Sequence, residues 1–366
     1  MTRVLVTGGS GFIGSHIVEA LLAADLEPVV LDLRRPHIEV EHESGDVRDP
    51  EVVERALRGA PLVCHQAAMV GLSTNLDDMP AYAAHNDVGT AVLLRALARA
   101  RSHRLVLASS MVVYGEGGYR CPRHGAVKPP PRARAELEAG HFESTCPRCS
   151  GPLSPRPVGE LEPPDPRNVY AATKLHQEHL ASAFSRETSI PVTTLRYHNV
   201  YGPRMPRDTP YAGVAALFAD ALAAGAAPRV FEDGRQLRDF VHVRDVALAN
   251  VLALTVEEPP TGAFNIASGT PRSVGELADA LHRAAPPAAP APLITGEFRL
   301  GDVRHVFADP ARAAAQLGFS AREDFQAGMD ELSLALCDGR AQAGAAERVT
   351  SSPLDGAPVG DPGAVD

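Results

Sequence analysis

The sequence predicts a doubly wound α/β fold, a parallel sheet covered by helices on both faces. Short apolar runs recur at residues 3–7 (RVLVT), 28–33 (PVVLDL), 62–65 (LVCH) and 104–110 (RLVLASS), as expected of strands buried on both faces. The stretches between them, such as 12–24 and 88–101, carry apolar residues at helical spacing. A glycine-rich segment, VTGGSGFIGSH, joins the first strand to the first helix.

At 366 residues, 45% apolar and 22% charged, the chain has the composition of a soluble globular protein with one large domain or two modest ones. It shows neither an eighteen-residue apolar window nor a basic-then-apolar leader, so no membrane partner is expected and the cytoplasm is the expected location. A net charge of −10 argues against nucleic acid as a partner. Five cysteines, two of them in a C-x-x-C, suit a reducing compartment and a metal better than disulfides.

From about residue 200 the alternation loosens. A helix is expected at 213–225, strands near 229–233, 239–243 and 262–268, and a further helix opened by the capping box Ser273-x-x-Glu276. Residues 284–292 (AAPPAAPAP) form a loop. The expected organisation is a cofactor-binding domain at 1–198 with an insert at 116–165, a smaller substrate-binding region at 199–338, and a disordered tail at 339–366.

Gly8, Gly11 and Gly14 give G-x-x-G-x-x-G spacing. The small residues allow a tight turn, the approach of a pyrophosphate to the helix N-terminus, and close helix–strand packing. Eighteen residues beyond Gly14, Asp32 ends the second strand, where a carboxylate accepts both ribose hydroxyls of an adenosine. With strand before and helix after, this predicts a Rossmann-type domain binding NAD. Arg34 and Arg35 keep NADP as the alternative.

Tyr170 and Lys174, in YAATK, stand at i and i+4 on one helix face, so the ammonium is expected to lower the phenol's pKa and let Tyr170 act as a base. Ser109 and Ser110 end the strand LASS, with hydroxyls able to bond a reacting oxygen. Between Ser110 and Tyr170, Cys121-x-x-His124 and Cys146-x-x-Cys149 are separated by twenty-one residues. That pattern can wrap one structural Zn²⁺ with three sulfurs and one nitrogen, filling all four positions. Gly125 and Gly151 are expected to release the chain after each knuckle, and Cys64 is expected in the core.

Taken in order, VTGGSGFIGSH, GDVRD (45–49), HQAA (65–68), NDVGT (86–90), SSMVVYG, YAATK, LRYHNVYGPR (195–204), RDFVHVRD (238–245) and RLGD (299–302) resemble the extended short-chain dehydrogenase/reductases of the nucleotide-sugar epimerase and dehydratase family. The resemblance runs from residue 1 to about 335. It implies that Phe12, Ile13, Leu33, Asp46, Val47, Ala67, Ala68, Asn86, Ser109 and Tyr197 join the cofactor site. Ser110, His198, Asn199, Val214, Phe231, Arg238, Arg299 and Asp302 meet the nucleotide-diphosphate sugar, a UDP- or dTDP-hexose. Two arginines suit a diphosphate, since each can offer forked hydrogen bonds. Members that eliminate water carry an Asp–Glu pair after the catalytic hydroxyl, whereas this chain has Met111 and Val112, which cannot move protons. The implied reaction is NAD-dependent epimerisation at C4 through a 4-keto sugar, with a 4-ketoreductase or 4,6-dehydratase as the alternative and a non-catalytic dinucleotide-binding regulator further off. Cysteine-bearing inserts at this point mark, by the same resemblance, a subgroup like the dTDP-L-rhamnose 4-epimerases. A homodimer is implied too, with Leu93, Leu97, Leu175 and Leu180 expected on the outward helix faces.

Overall fold

The computed structural model describes residues 1–71, 76–100, 102–207 and 213–335, and the tail expected to be disordered lies outside the described residues. The first half alternates β1 (Arg3–Thr7), α1 (Phe12–Ala23), β2 (Glu27–Asp32), β3 (Glu41–Ser44), α2 (Pro50–Ala56), β4 (Leu62–His65), α3 (Met79–Tyr82), a π-helical segment Ala83–Val88, α4 (Gly89–Ala100) and β5 (Arg104–Ser110). The insert holds β6 (Gly118–Cys121), β7 (Gly125–Val127), α5 (Arg134–Glu138) and β8 (Ser154–Arg156). There follow α6 (Val169–Thr188), β9 (Val192–Tyr197), β10 (Asn199–Tyr201), α7 (Val214–Ala223), β11 (Arg229–Val230), β12 (Leu237–His242), α8 (Val243–Thr255), β13 (Gly262–Ile266), β14 (Pro271–Ser273), α9 (Val274–Ala284), β15 (Leu293–Ile294) and α10 (Ala311–Leu317).

Seven strands form one parallel sheet in the order β13-β9-β5-β4-β1-β2-β3, which bears out the expected Rossmann-type fold. Strand alternation explains the two cores. Val4, Val6, Val30, Cys64 and Val106 point to one layer, where α1, α8 and α10 pack; Leu5, Val29, Leu31, Val63 and Leu105 point to the other, under α2 and α4. Leu93 and Leu97 of α4 are fully buried in this second layer, and Leu180 packs against it. The outward placement expected for the α4 leucines is therefore corrected: their helix turns that stripe to the sheet.

The expected boundary at 198 is not a clean cut. Strand 262–266, expected in the smaller region, is instead the seventh strand of the central sheet, paired with β9. The smaller lobe is built from the β10-β12-β14 sheet, the β11–β15 pair, α7 and α9, around Phe218, Leu222, Phe240, Leu277, Leu281 and Met329. The capping box at Ser273 forms with both of its hydrogen bonds. The insert carries a small β7-β6-β8 sheet, and Val158 behind it packs with Val113, Tyr114 and Val306.

Candidate active site

The glycine turn is built for close approach. Gly8 adopts φ +72°, and a Cβ there would lie 2.7 Å from the Ala67 nitrogen; a Cβ on Gly14 would lie 2.1 Å from the Gly8 carbonyl oxygen. Gly11 caps α1 without a side-chain hydrogen bond, and no acid stands in the first turn. The first amides of α1, those of Phe12, Ile13 and Gly14 among them, are therefore left without a side-chain cap, the arrangement a helix N-terminus needs to take an anion. Asp32 is tied to this turn, accepting from the backbone N–H of Ser10 (3.1 Å) and of Arg34 (3.0 Å). Leu33 beside it is 67% exposed. Asp46 is held by Arg48, whose bonds keep its carboxyl below the usual range, and Val47 is buried behind it.

Under the turn, Thr7 Oγ1 meets His65 Nδ1 (2.6 Å) and accepts from the Ala67 N–H, while His65 Nε2 reaches Thr90 Oγ1 at 3.1 Å. Burial pushes the His65 pKa down to about 3, with the Lys174 charge adding to the effect. Asn86 is fully buried and bonds the backbone of Met69 on both its N–H and C=O, and Thr173 of α6. The Tyr197 hydroxyl bonds Gln66 and Asn250, one layer below, beside the fully buried Cys64.

Helix α6 opens with Asn168 accepting from the Ala171 N–H, which fixes the phase of the helix. Three of its residues at four-residue spacing then grip the end of β5. Lys174 Nζ donates to the Ala108 carbonyl (3.0 Å), Glu178 Oε1 accepts from Ser109 Oγ (2.5 Å), and the Tyr170 hydroxyl faces Ser110. Glu178 also forms a buried ion pair with Arg196 at 2.7 Å. Burial lowers the Lys174 pKa to about 8 against the opposing charges of Glu178 and Asp87. For Tyr170, burial raises the pKa while Ser110 pulls it down. The expected depression of this phenol by Lys174 is not met: the ammonium is directed at a β5 carbonyl. Glu178 and Arg196 were missed in the sequence, although the i+4 step from Lys174 to Glu178 could have flagged the acid. Met111 and Val112 lie in a single 3₁₀ turn after Ser110.

At the far end, His198 is 4% exposed, and burial pushes its pKa down to about 3. Asn265 faces it, yet neither ring nitrogen closes a hydrogen bond, and Asn199 Oδ1 beside it is buried and unpartnered. Such orphaned polar atoms fit a polar ligand. The Arg299 guanidinium lies 5.5 Å from the Phe231 ring centroid, and both Arg299 and Asp302 are exposed. Val214 opens α7. Arg238, by contrast, is buried and donates to the carbonyls of Leu237, Val303 and Arg304. Its fork is committed to the backbone that carries Asp302.

In the insert, the ligand atoms of Cys121, His124, Cys146 and Cys149 all lie within 4.8 Å of one another. His124 Nδ1 lies 3.5 Å from Cys121 Sγ and 3.4 Å from Cys146 Sγ, and Cys121 Sγ lies 3.8 Å from Cys149 Sγ. Gly125 takes φ +69° after the first knuckle, as expected; after the second it is Ser150, at φ 53°, that turns the chain rather than Gly151.

Fold and site together place the chain among the dinucleotide-binding extended short-chain dehydrogenase/reductases. More narrowly, it belongs to the NAD dependent epimerase/dehydratase family, which it matches over residues 4–136 and 142–267. It is 35% identical over 347 residues to a dTDP-L-rhamnose 4-epimerase of Burkholderia thailandensis, covering 90% of this chain and 93% of that protein. A putative UDP-glucose 4-epimerase of Methanocaldococcus jannaschii is 30% identical, over 89% of this chain and 95% of its own length. Among solved structures, the UDP-glucose 4-epimerase of Thermus thermophilus in complex with NAD superposes with a TM-score of 0.73 at 32% identity, covering 92% of this chain and 99% of that one. Among the described residues no helix is long and apolar enough to cross a membrane.

Proposed function

We propose that the protein is an NAD-dependent 4-epimerase of a nucleotide-diphosphate hexose, of the UDP- or dTDP-linked class, acting in the cytoplasm. The observation that carries this reading is the Ser110–Tyr170–Lys174 line at the end of β5, followed by Met111 and Val112 where elimination would need an acid and a base. NAD held at the α1 N-terminus and by Asp32 would supply a reversible hydride acceptor for the sugar carbon. Tyr170 would act as its phenolate, taking the proton of the C4 hydroxyl as the hydride leaves and returning it when the carbon is reduced again. Burial opposes that charge, so the Lys174 ammonium one turn away and the bound cofactor's positive ring would have to favour it, while Ser110 would hold the reacting oxygen. Asn199, Phe231, Arg299 and Asp302 hold the nucleotide end while the 4-keto hexose turns its other face. Arg238 serves this end by fixing the backbone beside Asp302. Binding energy placed away from C4 leaves the sugar free to rotate.

Incubating the purified protein with UDP-, dTDP-, GDP- and CDP-hexoses, without added cofactor, should give a C4 epimer from one of them with no net change in NAD(P)H. A 4-keto-6-deoxy product would instead mark a dehydratase, and stoichiometric consumption of added NAD(P)H with a 4-keto nucleotide sugar a ketoreductase.

The insert site is assigned to one structural zinc, held by Cys121, His124, Cys146 and Cys149; this donor set fits Zn²⁺ with no position left for water. Elemental analysis should find about one zinc per chain, and Cys146→Ser should lose it. Full zinc retention in a Cys146→Ser, Cys149→Ser double variant would refute the assignment. The assembly is taken as a homodimer through the outer faces of α4, the π-helical segment before it and α6, where Val88 is 52% exposed and His176 of α6 pairs with Asp87. Light scattering at micromolar concentration decides between dimer and monomer.

A further inference from the structure

The insert reaches the nucleotide end of the site through a buried charge cluster that the proposed chemistry does not use. Arg132, between the two Cys/His knuckles, has a side chain only 5% exposed. One of its terminal nitrogens donates to Glu232 Oε1 (2.8 Å) and to the Asp302 carbonyl (2.9 Å), and the other to the Phe142 carbonyl (3.1 Å). Fully buried Arg304 takes the other oxygen of Glu232 (2.8 Å), Asp233 (2.7 Å) and the insert's Glu143 (2.6 Å). Glu143 also meets His305 Nε2 at 3.0 Å, and Glu116 at the mouth of the insert accepts from the Arg304 N–H. Glu232, directly after Phe231, stands at φ 54°, a left-handed conformation that a residue with a side chain adopts at a cost and keeps only when its surroundings force it. Here the two arginines hold both of its oxygens.

The geometry points to Arg132 as a positioning residue that fixes the two segments carrying Phe231 and Asp302, so that the insert sets the affinity for the nucleotide end of the substrate. This rests on the reading of Phe231, Arg299 and Asp302 as anchors of the nucleotide sugar. The fork matters as much as the charge: a single guanidinium spans Glu232, the Asp302 carbonyl and the insert's own Phe142 carbonyl, which an ammonium cannot do at once. The Cys/His cluster closes the chain on both sides of Arg132 and Glu143, and so holds these side chains in register with the loop they clamp.

The test compares Arg132→Met, Arg132→Lys, Glu232→Gln and Arg299→Ala in the full chain. The readouts are KM and kcat for the accepted nucleotide sugar, calorimetric Kd for UDP, dTDP and NAD, zinc content and the melting midpoint. Arg132→Met should raise KM and the nucleotide Kd by about tenfold or more, the loss expected from charge-assisted bonds, with kcat within about twofold and with NAD affinity and zinc content unchanged. Arg132→Lys should recover part of the loss, and Glu232→Gln should repeat the KM effect if Arg132→Met proves unstable. A folded Arg132→Met or Glu232→Gln protein with parental KM and nucleotide Kd, alongside a raised KM in Arg299→Ala, would overturn the positioning role. Parental KM in Arg299→Ala as well would overturn the anchor reading beneath it.

Discussion

Mild acid should destabilise this protein more than its carboxylates require, because two buried imidazoles must then take up protons. His65 and His198 are 1% and 4% exposed, and burial pushes both pKa values from an ordinary 6.5 down to about 3. Between pH 6.5 and 3 the unfolded chain binds protons at these residues that the folded chain does not, so stability is fully present above 6.5 and is lost as pH falls through that window. At about pH 5 each residue sits roughly 1.5 units below its ordinary pKa, which costs about 2 kcal/mol per histidine and about 4 for the pair. Urea unfolding at about pH 7.5 and about pH 5 measures the loss. Other low-pKa histidines, such as His242, add equally to every variant. His65→Gln can still bridge Thr7 and Thr90, and it should reduce the acid-dependent loss by about 2 kcal/mol whatever it does to stability at neutral pH. His198→Gln should do the same. A His65→Gln protein that loses as much stability as its parent between the two pH values would refute the assignment of a neutral, desolvated His65.

Gly14→Ala should abolish NAD binding by calorimetry, since its Cβ would sit 2.1 Å from the Gly8 carbonyl oxygen and spread the pyrophosphate turn; parental NAD affinity would contradict the cradle. Glu178→Ala leaves Arg196 buried without its counter-charge and should cost about 3–5 kcal/mol, much of it recovered by adding Arg196→Met. An unchanged melting midpoint in the single variant counts against that pair.

What was legible in the sequence was whatever repeats locally. Strands β1 and β5 are covered on both faces and so read as unbroken apolar runs, the glycine spacing and the YAATK step each declare themselves within a dozen residues, and each Cys/His knuckle within four. Strand β3 (EHES) was invisible because it is an exposed edge, where polar side chains are tolerated and protective. The periodicity of α4 showed that it has an apolar face but not which neighbour receives it, and so Leu93 and Leu97 were turned the wrong way. The charged residues misled most. Arg132, Glu232 and Arg304 look like surface charges in the sequence; their burial depends on partners 100 and 72 positions apart, which no local pattern reveals. Arg238 shows the same limit, since an arginine suited to a diphosphate is spent on three carbonyls.

The late arrival of β13 has a consequence for biosynthesis. Its partner β9 ends at Tyr197, while β13 begins at Gly262, so about 65 residues must be translated before the central sheet can close. At ordinary elongation rates that interval lasts roughly 3–13 s. All six residues of β9 are buried in the finished protein, yet for that time the strand forms an open sheet edge on a nascent chain still tethered to the ribosome. A ribosome stalled before codon 262 would therefore release a fragment with a pairing template exposed, and the cell's holding chaperones should meet this chain while it is still being made.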